Sequence, residues 1–487
     1  MKKLGYIFIL MLAISLQAQP PSKFYQKFGG TGVDIGYGIR ETFNRQYIIC
    51  GSTSSYGYGS EDAFLQLIDS MGQNIWSKNY GGVMTDVAKN LIINPADSGF
   101  IFTGNTNSIG NGGYDVFVVR TDKNGNMIWQ KSFGGFDWDF GNDIAFAPDG
   151  NIVVCGYSYN SKYGKSDGIL MKINTSTGTQ IWQKNYGGIE DDDFRAIKLT
   201  PDNFFILTGK TNSYNDIQGD IYFFKTNLNG DSVLFKTYGL VNKVDYGNDI
   251  LKDYTNDYLI GGGSESYSFG MKDAFILKID SVGNFIWVNN FGKADLDEEV
   301  SKVNLVYNYQ GRYTISYSEI DLPSFKRDPK NLVLALNGFY MFGTSFGESE
   351  DEELFGTTNT SDKGYIGVGY TKSYGAILED IYVIKYDSMF NFGGELIGIK
   401  ENYFKPNSLK VYPTIVTNDN PFITIESDKE ITYSLFDIYS RELYTSGKPD
   451  KNFTLKTSID FQEMNIGLYI LRINREGKDF QYKVIKD

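Results

Sequence analysis

Short apolar runs, each broken by a turn, set the rhythm of this chain. The stretch from Gly135 to Gly187 shows the plan. Asp143 to Phe146 predicts a first strand, and Pro148 to Asn151 a turn. Ile152 to Cys155 alternates into a second strand. A polar loop, Tyr157 to Ser166, leads to a third strand at Gly168 to Ile173. Asn174 to Gly178 then turns the chain into a fourth, Gln180 to Tyr186. Each unit is thus four short strands, A to D, joined by hairpin turns.

Strand D carries a phrase, Trp-Gln-Lys-Ser-Phe-Gly-Gly at Trp129 to Gly135, which recurs with drift. Its first glycine falls at Gly29, Gly81, Gly134, Gly187, Gly239, Gly292 and Gly347, an interval of about 53 residues. Six units run between successive phrases. A seventh has three clear strands, near Glu353 to Thr357, Tyr365 to Thr371 and Asp380 to Tyr386. The chain also opens with an orphan fourth strand, Phe24 to Phe28. These observations predict an all-β fold. It is a seven-bladed β-propeller over residues 21–398, its last blade completed by the N-terminal strand so that no sheet edge stays open. The sixth unit is irregular. Tyr317 replaces the usual strand-B glycine, and Leu322 to Lys330, with Pro323 and Pro329, predicts a lengthened B–C loop.

The ends read differently. Met1 to Gln19 has a positive start at Lys2 and Lys3 and an apolar core from Leu4 to Leu16, the pattern of a secretory signal peptide. No transmembrane segment is expected in the mature chain. Residues 399–408, with Pro406, read as a linker. Strand-like runs follow at Leu409 to Tyr412, Phe422 to Glu426, Ile431 to Tyr439, Phe453 to Ile459, Gly467 to Asn474 and Asp479 to Ile485. They predict a small β-sandwich over 409–487.

Composition narrows the chemistry. The 487 residues contain 59 Asp and Glu against 46 Lys and Arg, a net charge of −13, with no histidine. Without histidine there is no Ser-His-Asp or Cys-His catalysis and no His-liganded zinc. The acidic balance and the lack of a basic stripe exclude nucleic acid as a partner. Cys50 and Cys155 lie two periods apart, each before a repeat glycine, where Thr103 and Thr208 stand in other repeats. They predict buried small-residue slots and no disulfide.

Candidate site residues recur with the repeat. One set of aspartates precedes strand A: Asp34, Asp86, Asp139, Asp192, Asp245 and Asp297. A second opens strand C: Asp62, Asp115, Asp167, Asp220, Asp273 and Asp380. Both fall on the face carrying the D–A and B–C connections. Near-identical placement in every blade favours turn capping. The functional alternative is a cation or cationic-ligand site, for which such hard oxygen ligands would suit calcium. No other cofactor, no metal-ligand set and no catalytic residue stands out. Acidic clusters at Glu190 to Asp193, Asp295 to Glu299 and Glu348 to Glu353 add charge to that face. Tyr56, Tyr214, Tyr267 and Tyr374, in the B–C loops, either wedge between blades or stack on a sugar or peptide ligand. Turns such as Asp122 to Asn126 look superficially like a calcium loop, but without the full acidic spacing they read as hairpins.

The repeat, with its Trp, Phe-Gly-Gly, Thr-Gly and Ser-Tyr-Gly elements, resembles the β-propeller repeats of large secreted bacterial proteins. Val411-Tyr412-Pro413, Leu435 to Leu443, Met464 to Leu471 and Lys483 to Lys486 resemble the type A C-terminal sorting domain of the type IX secretion system. Thr414 and Ser440 depart from that family's usual Asn and Gly. The resemblance implies inner-membrane export by the signal peptide, then passage through the outer membrane by way of residues 409–487 and the type IX machinery. Release or surface attachment would follow. The resulting expectation is a non-enzymatic binding, adhesion or scaffold module with an extracellular glycan or protein ligand. The alternative is a carboxylate-based polysaccharide- or peptide-degrading enzyme. Identical residues in every blade weigh against it, because catalysis needs asymmetry at one place.

Overall fold

The computed structural model describes residues 23–387 and 409–486. Breaks fall at 58, 160–164, 254, 269–271, 293–303, 308–311, 322–325, 346, 348–349, 413–414, 417–421, 428–430, 438–440, 446–454, 463, 466 and 476–477. The expected signal peptide, the linker and Asp297 lie outside the described residues. All regular elements among the described residues are strands, and the chain divides into two compact units, Met1–Ile399 and Lys400–Asp487.

The first unit is a seven-bladed propeller. Blade one consists of Asp34–Glu41, Tyr47–Thr53, Asp62–Ile68 and Asn74–Tyr80, hydrogen-bonded in that order. Blades two to six repeat it. In blade seven, Glu352–Asn359, Tyr365–Thr371 and Asp380–Tyr386 take their fourth strand from Phe24–Phe28, paired antiparallel with Phe24 opposite Lys385 and Phe28 opposite Ile381. Strand A begins earlier than the alternation suggests, at Asp139 in blade three. The cause is a bulge between Gly141 and Asp143 that resets the inward–outward alternation. The long sixth-blade loop expected over Leu322–Lys330 is corrected as well. Strands Tyr313–Asp321 and Lys326–Leu334 extend and pair up to Asp321 opposite Lys326. Among the described residues strand D pairs only as far as Lys330, so Pro329 needs no ladder hydrogen bond on that side.

The cores lie between blades. One buried cluster joins blades one and two through Ile48, Leu65, Leu91, Phe102 and Phe117, and another closes the ring by packing Phe24, Ile49 and Phe64 against Ile366 and Val383. The phrase is cement for these joints. Its leading ring packs on the C–D turn glycine of the next blade, so that a Cβ on Gly125 would meet the Trp76 ring at 2.7 Å, and one on Gly72 would meet Phe24 at 2.7 Å. Gly72 and Gly125 have φ of +80° and +74°, which only glycine adopts readily. Tyr80 and Tyr238 strengthen the joints by donating their hydroxyls to Gly125 O and Gly283 O, both at 2.7 Å. Cys50 and Cys155 are buried and form no disulfide, as their slots predict.

The second unit has a three-stranded sheet, Leu409–Tyr412, Phe422–Ser427 and Leu455–Asp460. A five-stranded sheet contains Ile431–Asp437, Gly467–Arg475 and Lys478–Lys486, with Glu442–Thr445 and Ile415–Val416 at its edges. The two edge strands are too short to show a period in the sequence. Ile423, Ile425, Leu435, Leu471 and Val484 share one buried cluster. Near the C-terminus, buried Lys486 donates from Nζ to the carbonyls of Phe461 (2.6 Å), Gln462 (3.0 Å) and Met464 (2.6 Å), tying the last strand to that turn.

Candidate functional site

One face of the ring carries the D–A corners and the B–C loops, and hydrogen bonds lace the two together. Ser54 Oγ accepts from Val33 N at 2.7 Å, and Ser108 Oγ from Met84 N at 2.9 Å. The strand-A aspartates sit beneath this lacing, almost fully buried. Asp34 accepts from Gly30 N at 2.8 Å, from Ser55 Oγ at 2.5 Å and from the Thr53 hydroxyl. Asp86 and Asp192 repeat the arrangement with Gly82, Ser108 and Thr106, and with Gly188, Ser213 and Thr211. Asp139 accepts from Gly135 N at 2.9 Å, and Asp245 from Ser264 and Ser266. In blade seven Glu352 takes the same place and accepts from Thr371 Oγ1 at 2.6 Å. These carboxylates staple strand B and the B–C loop to the corner.

The strand-C aspartates approach the same corners from the preceding blade. A Cβ on Gly134 would lie 1.9 Å from Asp115 Oδ1 and 2.5 Å from Asp139 Oδ2. Gly187, Gly239 and Gly29 are flanked in the same way, by Asp167 and Asp192, Asp220 and Asp245, and Asp380 and Asp34. The first glycine of the phrase is therefore the residue that lets two carboxylates from two blades close on the chain. Burial, then the facing Asp139 carboxylate, pushes Asp115 above the ordinary aspartate range, against a hydrogen bond from Asn111 N. Among the described residues, no group of three or more Asp, Glu, Cys or His is arranged to hold a metal ion. At the C–D turn, Asp122 Oδ1 accepts from Asn124 N and Asn126 N, both at 2.8 Å, which closes a hairpin.

Deeper in the ring, a polar belt crosses successive blades. Arg40 donates to Asn90 Oδ1 (3.0 Å), and Asn90 to Asp143 Oδ1 (2.6 Å). Asp143 Oδ2 accepts from Ile197 N (2.9 Å) and Lys198 Nζ (3.2 Å). Burial works against Lys198 carrying charge, but Asp143 and Asp249 outweigh it and raise its pKa. Opposed charges linked in this way hold five blades in register.

The B–C tyrosines split. The Tyr56 and Tyr214 hydroxyls each donate to a corner carbonyl, Gly29 O and Gly187 O, at 2.9 Å. Tyr374 stacks on Tyr25 of the closing strand, with ring centroids 5.1 Å apart, and Tyr267 packs against the core between blades four and five. Above them, apolar side chains stand in solvent on the loop tips: Val83 and Met84, Phe136, Ile189, Leu240 and Val241, and Ile377. Sequence reading passed over the most asymmetric member. Trp138 lies between Tyr114, Phe140 and Tyr159, at the corner from blade two to blade three. The available signal was that Trp76, Trp129, Trp182 and Trp287 all lead a phrase, and Trp138 alone does not.

The chain is 22% identical over 205 residues to the regulatory protein FlaEY of Caulobacter vibrioides, a match covering 38% of this chain and 20% of that protein. The chain thus spans about a fifth of the curated relative it matches. Among solved structures it is similar to PorZ, a surface component of the type IX secretion system of Porphyromonas gingivalis. That match has 11% identity and a TM-score of 0.42, covering 92% of this chain and 59% of the other. It is also similar to a puromycin hydrolase, with 9% identity and a TM-score of 0.45, covering 82% and 59%. Likenesses at this level carry no functional argument. No helix among the described residues is long and apolar enough to cross a membrane. Residues 410–487 match the family described as the secretion system C-terminal sorting domain. That segment addresses the chain to the type IX machinery, and the protein is secreted or attached to the outer cell surface.

Proposed function

We propose that the propeller is a non-enzymatic binding module, displayed outside the cell, that takes extracellular ligands on its D–A and B–C loop face. The observation that supports this reading is a division of labour. Carboxylates below the loop tips are engaged in protein hydrogen bonds, while four D–A corners carry exposed apolar or aromatic side chains, at Val83 and Met84, Phe136 and Trp138, Ile189, and Leu240 and Val241. Contiguous exposed apolar groups mark an interaction surface. Calcium is not needed by this reading, because the staples draw their donors from the chain itself.

The test is a combined glycan and peptide array probed with the mature protein, with and without calcium. Capture of a ligand without turnover, lost when Val83 and Ile189 are both changed to Glu, is the expected result. Release of soluble products from any captured polymer would instead establish the carboxylate-based enzyme.

A further inference from the structure

We propose that the aromatic platform around Trp138 is a glycan-binding site, stacking a pyranose ring on Trp138 and Phe136 and accepting hydrogen bonds from its hydroxyls at the neighbouring Asp137 carboxylate. This deepens the binding reading above and rests on it.

Among the described corners the platform occurs at one. The position of Trp138, just before strand A, holds Val33, Thr85, Asp191, Val244 and Asp351 in other blades. Trp138 is 53% exposed and Phe136 is 87% exposed, yet Trp138 is not loose. Tyr114, Phe140 and Tyr159 meet it nearly perpendicular, at 84°, 87° and 86°, with centroids 6.2 to 6.3 Å away. Gly113 lies so close that a Cβ there would be 2.0 Å from Trp138 Cδ1. The backbone on both sides is pinned, by Tyr159 N donating to Trp138 O at 2.9 Å and Asp139 N to Tyr114 O at 2.6 Å. A large exposed ring fixed in advance loses little entropy when a ligand lies on it.

A column of rings backs the platform. Phe140 stacks on Tyr114 (5.6 Å, 29°) and on Tyr157 (4.8 Å, 24°). Asp193 and Arg195 lie close enough to act electrostatically on the Tyr157 hydroxyl. Arg195 grips Asp193 through two nitrogens, at 3.0 and 3.1 Å, and stacks its guanidinium 4.6 Å over Tyr246. The patch therefore has an exposed aromatic centre, Trp138 and Phe136, with the exposed Asp137 carboxylate between them in sequence, while the Asp193–Arg195 pair lies behind the ring column and is engaged internally, Arg195 also donating to Asn248 Oδ1 at 3.0 Å. A pyranose presents the complementary surface, a C–H face bounded by equatorial hydroxyls.

Affinity electrophoresis of the mature full chain through gels containing xylan, mixed-linkage β-glucan, mannan or polygalacturonate tests the site. At least one polymer should retard the wild type. Trp138→Ala should weaken that retardation about tenfold or more, the size of an aromatic hot spot. Phe136→Ala should weaken it less, and Tyr340→Ala, on strand D of blade six, should leave it unchanged. Trp138→Phe keeps a ring at the site and should retain part of the binding, which separates lost stacking from lost folding. Unaltered polymer binding by Trp138→Ala overturns the platform and leaves the binding module standing. Capture of peptides but no polymer through Trp138 also overturns the glycan assignment. If neither polymers nor peptides bind, both readings fall.

Discussion

Two corners of the ring have the same geometry and two buried carboxylates held above the ordinary aspartate range, but Lys27 faces one of them. At Gly239, a Cβ would lie 2.1 Å from Asp220 Oδ1 and 2.8 Å from Asp245 Oδ2. At Gly29, where the ring closes, it would lie 2.0 Å from Asp380 Oδ1 and 2.9 Å from Asp34 Oδ2. The residue two places before the glycine differs. It is Thr237 in the continuous blade and Lys27 in the closing one. Lys27 Nζ reaches Asp380 Oδ2 at 2.6 Å, and Lys23 pairs with Asp387 at 3.0 Å toward the other end of the strand. Elsewhere the equivalent donor is neutral, as in Asn290 donating to Asp273 Oδ2 at 3.1 Å. A strand D that follows its own hairpin closes only a short loop. A strand D supplied from the far end of the chain must close a long one, and ion pairs are added where covalent continuity is missing.

The largest effect that would break this comparison is loss of the closing strand itself. Removing residues 23–30 strips blade seven of its partner, uncovers the Asp380–Tyr386 edge and takes Phe24 from the core between blades seven and one. The melt should fall by far more than for any single substitution, equivalent to about 5 kcal/mol or more. Light scattering should show self-association through the open edge. An unchanged melting temperature would mean that the ring does not depend on its clasp.

Asp380→Asn comes next. It keeps the shape but leaves Lys27 facing a neutral amide. Burial holds the Asp380 carboxyl above the ordinary aspartate range although Lys27 pulls it down, so relief of the buried charge offsets part of the lost charge-assisted hydrogen bond, and the net cost should be about 1 kcal/mol near pH 7. Chemical denaturation checks the value. A cost below about 0.5 kcal/mol would place the pair among surface ion pairs of little worth.

How far the sequence carried these arguments depends on the range of each interaction. The blades were legible because strand and turn signals are local and recur at a fixed period. The closing strand was legible because Phe24 to Phe28 is a phrase without a unit of its own. The corner partnership was not. Asp220 and Asp245 are separated by a whole strand and two turns, and nothing local reveals that Gly239 lies between their oxygens. Strand A was misjudged because its bulge breaks the alternation. Trp138 was passed over because attention to what repeats hides what does not.

Asp220→Asn should have the smallest effect and the opposite sign. Among the described residues no cation pairs with Asp220 at its corner. Its Oδ2 accepts from Asn215 Nδ2 at 2.7 Å, and Oδ1 has no hydrogen-bond partner among the described residues. Burial pushes its pKa above the ordinary 3.8, and the Asp245 and Asp216 carboxylates push the same way against the Asn215 bond. A carboxyl raised in this way holds its proton to higher pH in the folded chain than in the unfolded one. Its contribution to stability is complete below 3.8 and is lost as pH rises through the folded value. Removing the charge should therefore stabilise the ring at pH 8, by about 1 kcal/mol or less, and by progressively less as pH falls toward 3.8, where the folded carboxyl gains its proton ahead of the unfolded one. Paired melts of wild type and Asp220→Asn at pH 8 and near pH 4 check this. A variant less stable than wild type at pH 8 would show that the Asp220 carboxylate supports its corner as Asp380 does. The contrast between the two corners would then disappear.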